Sequence, residues 1–292
     1  MSQSPLVIVS DVDGTLIDGD GLWPAPPRTL RTRLEGLSRL IGAPVVFALA
    51  SSRTLSELLV LQRWLRYPGP CLAEDGAIVA VDDDRAGRAR AAMAACGILR
   101  IEAGVVGRRA ICMARLGASA ESLRAALGEL PDSNDTGLGD ADLAQASVGR
   151  LRTLGFSTPS RQRRALGERS ASLLLDPTAW TERDTGDIDI VRGGRWLTAT
   201  RDAGKGAGVA WLRAFLDHDA SVPCRMVGIG NGANDRSLLE ACDVRFAVRD
   251  PGCALHPALQ SVEDVIPLEP AGPLAWLEML ERLAEPGVLE CV

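Results

Sequence analysis

Histidine is scarce in this sequence: only His218 and His256 occur among 292 residues, and both lie near predicted helix ends or turns. The side chain that most often transfers protons at neutral pH is therefore hardly available. Carboxylates must then carry any acid–base or nucleophilic chemistry.

The seven cysteines form neither a C-x-x-C pair nor a Cys/His cluster at zinc spacing. Their number is odd, which argues against a closed disulfide framework. We expect reduced and mostly buried thiols, and no structural zinc site.

Long apolar runs and long basic runs are also lacking. The apolar run from Pro5 to Val9 has no basic flank and stops at Ser10, so it is too short for a signal peptide or a membrane span. The 32 basic residues are scattered among 38 acidic ones, for a net charge of −6. These patterns predict a cytoplasmic protein that uses neither nucleic acid nor a membrane as its main partner. They leave the oligomeric state open.

What the sequence does contain is an alternation of short buried strands and amphipathic helices, within a composition that is 46% hydrophobic. Continuous apolar runs are typical of parallel strands that are covered on both faces. The predicted strands are Pro5–Val9, Val45–Leu49, Cys71–Ala73, Ala77–Val81 and Cys224–Ile229. The predicted helices are Arg28–Leu40, Leu55–Leu65, Lys205–Leu216, Ser237–Cys242 and Leu274–Leu283.

The composition changes near residue 82, which indicates an insertion in this alternating pattern. We predict a Rossmann-like, doubly wound parallel sheet core over residues 1–82 and 199–292, with an inserted α/β cap over residues 83–198. Within the cap we expect a strand at Arg109–Met113, a helix at Ala120–Leu130 and a final hairpin of Asp187–Val191 with Gly194–Thr198.

Two carboxylates, Asp11 and Asp13, directly follow the first predicted strand. At this spacing one can attack an electrophile while the other donates or accepts a proton. An Asp-rich turn that merely closes the strand is the alternative.

Three further segments place polar groups where strands end or helices begin. Ser51 offers a hydroxyl near a helix start, where anions bind, although it could simply be a helix cap. Lys205 could neutralise a phosphoryl oxygen, or it could be solvated. A glycine-rich turn carries Asn231, Asn234 and Asp235, whose hard oxygen atoms suit magnesium.

Taken in order, these four segments resemble the four motifs of haloacid dehalogenase superfamily phosphatases. The resemblance implies that Asp11 is the nucleophile that forms an aspartyl-phosphate, and that Asp13 is the general acid and then the general base. It further implies that Ser51, Lys205 and Asn234 hold the phosphoryl group. Mg²⁺ would be held by Asp11, the Asp13 carbonyl, Asn231 and Asp235.

The segment Glu74–Ile78 resembles the start of the cap in one branch of this superfamily. Residues 193–196 and 202–206 resemble mannosyl-3-phosphoglycerate phosphatases, which makes Arg195 a candidate substrate contact or a solvated side chain. The sequence departs from this branch at Asn231, where Asp is usual, and in the cap, where only Glu168 and Ser170 of a polar cluster are retained.

The resulting hypothesis is a magnesium-dependent phosphatase acting on a phosphorylated sugar or sugar-glycerate. A phosphosugar mutase, and a phospho-ligand binding protein with reduced or lost turnover, are the alternatives.

Overall fold

The computed structural model describes residues 4–18, 23–82, 101–106, 109–127, 171–175, 185–193, 196–218, 220–285 and 287–289. Its twelve described strands are β1 Leu6–Asp11, β2 Val45–Ala50, β3 Cys71–Ala73, β4 Ile78–Asp82, β5 Ile101–Val106, β6 Arg109–Arg115, β7 Leu173–Leu175, β8 Asp189–Gly193, β9 Trp196–Thr200, β10 Arg225–Gly230, β11 Val244–Arg249 and β12 Val265–Ala271.

The seven described α-helices alternate with these strands along the chain. They are α1 Pro27–Ile41, α2 Leu55–Leu65, α3 Ala120–Leu127, α4 Lys205–Asp217, α5 Arg236–Glu240, α6 Pro257–Gln260 and α7 Leu274–Leu283. A 3₁₀ turn, Ala233–Asp235, precedes α5. Among the described residues, no helix is long and apolar enough to cross a bilayer.

Nine strands form one sheet in the order β12-β11-β10-β1-β2-β3-β4-β6-β5. The strands from β12 to β3 are parallel, whereas β4, β6 and β5 pair antiparallel. This architecture confirms the predicted doubly wound α/β fold.

The central strand β1 is fully buried, and its side chains alternate between two hydrophobic clusters. Leu6 and Ile8 belong to one cluster, whereas Val7 and Val9 belong to the other. A strand that is apolar at every position is therefore covered on both faces, as expected for the interior of a parallel sheet.

The described part of the predicted cap contributes to two sheets. Strands β5 and β6 extend the nine-stranded sheet through β4. Strands β7, β9 and β8 form a separate antiparallel sheet, and α3 packs on it through Leu123 and Leu127. The final hairpin is present but lies two residues later than predicted, at β8 and β9.

Two core strands were not predicted from the sequence. Strand β11 carries Arg245 and Arg249, which interrupt its apolar pattern. Strand β12 contains Pro267, which a sheet tolerates because β12 is an edge strand. The predicted helix end at Leu130 and the side chains of Glu168, Ser170 and Arg195 lie outside the described residues.

Candidate active site

The predicted functional segments converge at the carboxyl edge of the parallel strands. The last residue of β1, Asp11, pairs with Ala50 at the end of β2, and Ser51 follows directly. On the other side of β1, β10 ends at Gly230. Helix α4 brings its first residue, Lys205, to the same edge.

Lys205 joins two carboxylates in what we call the buried charge centre, formed by Asp11, Lys205 and Asp235. Lys205 Nζ lies 2.6 Å from Asp11 Oδ1 and 2.5 Å from Asp235 Oδ1. The side chains of Lys205 and Asp235 are each 1% exposed, and that of Asp11 is 7% exposed. One ammonium group is therefore shared by two carboxylates in a water-poor environment, which makes their interaction strong.

Burial changes the protonation of this centre. Removal from water, reinforced by the charge of Asp235, raises the pKa of Asp11 from 3.8 to about 7 against the opposing effect of Lys205. Burial by itself would lower the pKa of Lys205, but the two carboxylates outweigh it and raise that pKa. Lys205 thus stays charged, and Asp11 ionises near neutral pH.

The turn after β10 fixes Asp235 through its second oxygen. Asp235 Oδ2 accepts hydrogen bonds from the backbone N–H groups of Asn231 at 3.0 Å and Gly232 at 2.9 Å. At Gly230 a Cβ atom would lie 2.4 Å from Asp235 Cβ, so only glycine leaves room for this approach. Asp235 is therefore held rigidly, which suits a group that orients others.

Asp13 lies in a different environment, with 49% of its side chain exposed. Arg53 donates to both of its oxygens, from Nε at 2.7 Å and from Nη2 at 2.6 Å. Burial would lower the pKa of Arg53, but its bonds to Asp13 outweigh that and raise it. This two-point ion pair sets the direction of the Asp13 carboxylate.

Ser51 is buried beside this pair but does not cap a helix. Its hydroxyl accepts from the backbone N–H of Arg53 at 3.2 Å. Helix α2 instead begins after Thr54, whose N–H donates to Glu57 Oε2 in a capping box. The simple helix-cap interpretation of Ser51 is therefore wrong.

Asn231 connects the loop after β1 to a carboxylate that the sequence did not indicate. Its Oδ1 accepts from Thr15 Oγ1 at 3.1 Å, and its Nδ2 donates to Asp250 Oδ1 at 2.8 Å. Gly14 has φ +84, and a Cβ atom there would lie 2.3 Å from Asn231 Nδ2. The Asp13–Gly14 backbone thus packs directly on the Asn231 amide.

These oxygens fit a magnesium ion by their chemistry, because Mg²⁺ prefers hard oxygen ligands and keeps several waters. Within the described ranges, no three His, Cys, Asp or Glu side chains are arranged to hold a metal by themselves. Amide and main-chain oxygens, such as those of Asn231 and Asp13, would therefore have to complete the set around Asp11 and Asp235.

Asn234 contacts the turn before β4. Its Nδ2 donates to Asp75 Oδ1 at 3.2 Å. Asp75 and Asn234 line a cleft of about 350 Å³ together with Lys205. Strands β8 and β9 and helix α5 form the remaining walls, so this cleft opens directly beside the buried charge centre.

Three residues of the site were missed by the sequence analysis as functional groups: Arg53, Asp75 and Asp250. Arg53 lies two residues after Ser51, and Asp75 lies within the segment Glu74–Ile78, but neither side chain had been given a role. Asp250 follows β11, a strand that had not been predicted, so no signal marked it.

The fold is similar to that of several solved structures, although no protein-family profile matches the chain. A Streptococcus mutans protein is 14% identical, with 96% of this chain and 98% of that chain covered and a TM-score of 0.56. A sugar phosphatase of haloacid dehalogenase subclass IIB is 13% identical, with 97% and 99% covered and a TM-score of 0.51. A haloacid dehalogenase-like hydrolase from B. subtilis is 17% identical, with 95% and 99% covered and a TM-score of 0.50. The chain therefore has the α/β fold that haloacid dehalogenase-like hydrolases share.

Proposed function

We propose that this chain is a phosphatase that hydrolyses a phosphorylated sugar through a phosphoryl intermediate on Asp11. The observation that carries the proposal is the buried charge centre, in which Lys205 lies 2.6 Å from Asp11 at the carboxyl edge of the sheet. A fixed cation beside a carboxylate nucleophile can stabilise charge on a phosphoryl group during its transfer.

In the first step, an Asp11 oxygen attacks phosphorus and the bond from phosphorus to the leaving oxygen breaks. Asp13 must enter this step protonated, with the proton that it took from water in the previous turnover, and it gives that proton to the leaving oxygen, which departs as the sugar hydroxyl. For this, one Asp13 oxygen must turn from Arg53 toward the leaving group, and the half-exposed position of Asp13 permits such a rotation.

In the second step, a water molecule attacks phosphorus and loses a proton to Asp13. The bond between phosphorus and Asp11 breaks, which regenerates the carboxylate and releases inorganic phosphate. Lys205 stays paired with Asp11 and Asp235 in both steps, so the charges around the nucleophile need little rearrangement.

We further propose that Asp11, the Asp13 carbonyl, Asn231 and Asp235 hold Mg²⁺, with Asp235 acting mainly by orientation because both its oxygens are engaged. A bound magnesium ion would supply positive charge opposite the phosphoryl oxygens. Ser51 and Asn234 are proposed phosphoryl contacts, and Arg195 a contact to the rest of the substrate. Residues 83–198 are the proposed cap.

The substrate class rests on two similarities. The subclass IIB neighbour is a sugar phosphatase, and the sequence resembles mannosyl-3-phosphoglycerate phosphatases around residues 193–206. Both similarities support a phosphorylated sugar, and the second adds a sugar-glycerate to the candidates.

The direct test is phosphate release from a panel of sugar phosphates with magnesium, for wild type and Asp11→Asn. We expect release by wild type only, because an amide cannot act as the nucleophile. Beryllium fluoride should bind only the wild type at this position. Equal hydrolysis by Asp11→Asn would overturn the assignment, and an isomerised sugar phosphate as product would indicate a mutase. Binding without turnover in wild type would indicate a phospho-ligand binding protein.

A further inference from the structure

The turn between β3 and β4 holds Asp75 in an unusual backbone conformation. Glu74, Asp75 and Gly76 have φ values of 52°, 55° and 85°. Two consecutive non-glycine residues in the left-handed region carry a conformational cost. At Gly76 a Cβ atom would lie 2.3 Å from the Gly204 carbonyl oxygen, so the turn is packed against the start of α4.

The Asp75 carboxylate is buried but only half satisfied. Asp75 is 7% exposed, and its Oδ1 accepts a hydrogen bond from Asn234 Nδ2. Among the described residues, Oδ2 has no hydrogen-bond partner. A buried charged acceptor without a donor is costly, so a strained turn that maintains one points to a ligand that provides the donor.

The cleft beside Asp75 shows which donors it could accept. Its described walls carry the hydroxyls of Thr198, Thr200 and Ser237 and the carboxylate of Asp189. The described cations on the walls already have carboxylate partners: Lys205 in the buried charge centre, and Arg236, whose Nε lies 2.7 Å from Glu240 Oε1. The cleft thus offers acceptors and hydroxyls, and no spare positive charge in its described part.

We propose that Asp75 determines substrate specificity: its Oδ2 accepts a hydrogen bond from a hydroxyl of a neutral sugar on the leaving-group side of the phosphate. A leaving group with a second anion, such as a glycerate carboxylate or a second phosphate, is disfavoured by Asp75 and Asp189. This inference rests on the proposed function and narrows it from sugar or sugar-glycerate phosphates to neutral sugar monophosphates.

The test compares Asp75→Asn with wild type on three kinds of probe: two neutral sugar phosphates, a phosphate ester without a sugar, and a bisphosphate. Asparagine keeps the shape and tolerates the left-handed conformation but replaces one acceptor with a donor. We expect kcat/KM for glucose 6-phosphate and mannose 6-phosphate to fall by about 10- to 100-fold, as for loss of a hydrogen bond to a charged group. For p-nitrophenyl phosphate, which has no sugar hydroxyl, we expect a change of less than about threefold. For fructose 1,6-bisphosphate we expect kcat/KM to rise relative to the neutral sugar phosphates.

Asp264→Asn is the matched control. Asp264 also has a left-handed backbone, with φ 53, but it is exposed and does not line the cleft. Asp264→Asn should leave kcat/KM unchanged for all three kinds of probe. Asp75→Gly, which the backbone also accepts, is a second variant if Asp75→Asn fails to fold. Because it also removes the hydrogen bond to Asn234, its readout is the ratio of kcat/KM for the sugar phosphates to kcat/KM for p-nitrophenyl phosphate. An equal loss on all three kinds of probe, or no loss on any, would overturn the proposal.

A binding experiment separates failure of this inference from failure of the proposed function. Calorimetry of glucose 6-phosphate and of inorganic phosphate is carried out in the Asp11→Asn background, with and without Asp75→Asn. We expect Asp75→Asn to weaken glucose 6-phosphate binding by about 10-fold or more and to leave phosphate binding unchanged. If wild type releases no phosphate but this difference holds, the specificity assignment survives and the phosphatase assignment fails. Equal binding of glucose 6-phosphate with and without Asp75→Asn would sink the specificity assignment.

Discussion

The buried charge centre and the Asp13–Arg53 pair lie side by side, yet they place an aspartate in opposite environments, one buried and one exposed. Asp11 is 7% exposed and contacts Lys205, whereas Asp13, two residues later, is 49% exposed and contacts Arg53. Because their environments differ, we expect these two carboxylates of one short motif to have different chemical roles. The rigid, desolvated group suits a nucleophile, and the exposed group suits one that must move a proton and rotate.

Removal of Asp13 should test the catalytic half of this comparison. Asp13→Ala is expected to lower turnover by about 100- to 10,000-fold, the usual range for loss of a general acid or base. The free energy of unfolding should change by less than about 1 kcal/mol, because the Asp13 side chain is half exposed. Steady-state kinetics and denaturant unfolding measure the two effects. Magnesium affinity should survive, since the substitution keeps the Asp13 carbonyl; an equal fall in affinity and rate would contradict the assigned role.

Removal of the cation from the buried charge centre should instead affect stability strongly. Lys205→Met leaves the carboxylates of Asp11 and Asp235 buried without their shared ammonium group, which typically costs about 3–5 kcal/mol. Arg213→Met is a matched control, because Arg213 Nη2 binds Asp243 at 2.9 Å in a partly exposed pair. Its cost should stay near or below about 1 kcal/mol. Similar losses in both variants, measured by urea unfolding at neutral pH, would remove the distinction between the two regions.

The raised pKa of Asp11 predicts how stability responds to pH. Since burial and Asp235 raise that pKa from 3.8 to about 7, ionisation of Asp11 disfavours the folded state. Its destabilising effect is absent below about pH 4, grows as pH rises, and is complete above about pH 7. With a chelator present, Asp11→Asn should therefore gain stability relative to wild type as pH rises from 4 to 8. A difference between the two unfolding curves that stays constant with pH would show that Asp11 titrates normally.

The smallest expected effect concerns Asn231 and Asp250, which are joined by one hydrogen bond. Asp250 carries the negative charge of this pair, and Asn231 is neutral. Asn231→Asp should lower the half-saturating magnesium concentration by roughly 3- to 10-fold, because one added charge near the surface contributes on the order of 1 kcal/mol. Without metal, the carboxylate introduced at position 231 would lie beside the Asp250 carboxylate, where the wild-type atoms are 2.8 Å apart. Repulsion between the two charges would then lower the free energy of unfolding. Calorimetric magnesium titration and metal-free unfolding measure both effects.

The exchange Asn231→Asp with Asp250→Asn is the control for that repulsion. It moves the carboxylate to position 231 while keeping one amide and one carboxylate in the pair. Magnesium affinity should rise as in the single variant, and metal-free stability should return to that of wild type. Unchanged half-saturation in both variants would show that Asn231 does not contact the cation.

Local sequence determined the parallel core around the site. The predicted ends of α2 and α7 coincide with the observed ones, and β1, β2 and β10 follow continuous apolar runs. Such elements are encoded by side-chain periodicity and by nearby caps, which act over a few residues. The convergence of Asp11, Ser51 and Lys205 follows from this topology, because parallel strands present their carboxyl ends at one edge.

Only the tertiary structure decided how these groups are paired. Arg53 and Asp13 are 40 residues apart, Asn234 and Asp75 are 159 apart, and Lys205 and Asp11 are 194 apart. Strand β11 escaped prediction because arginines interrupt its apolar pattern, and Asp250 was missed with it. The sequence shows where a carboxylate stands along the chain but does not show its environment. Its burial and its partner, which set its charge state and mobility, come from elements that fold together across the whole chain.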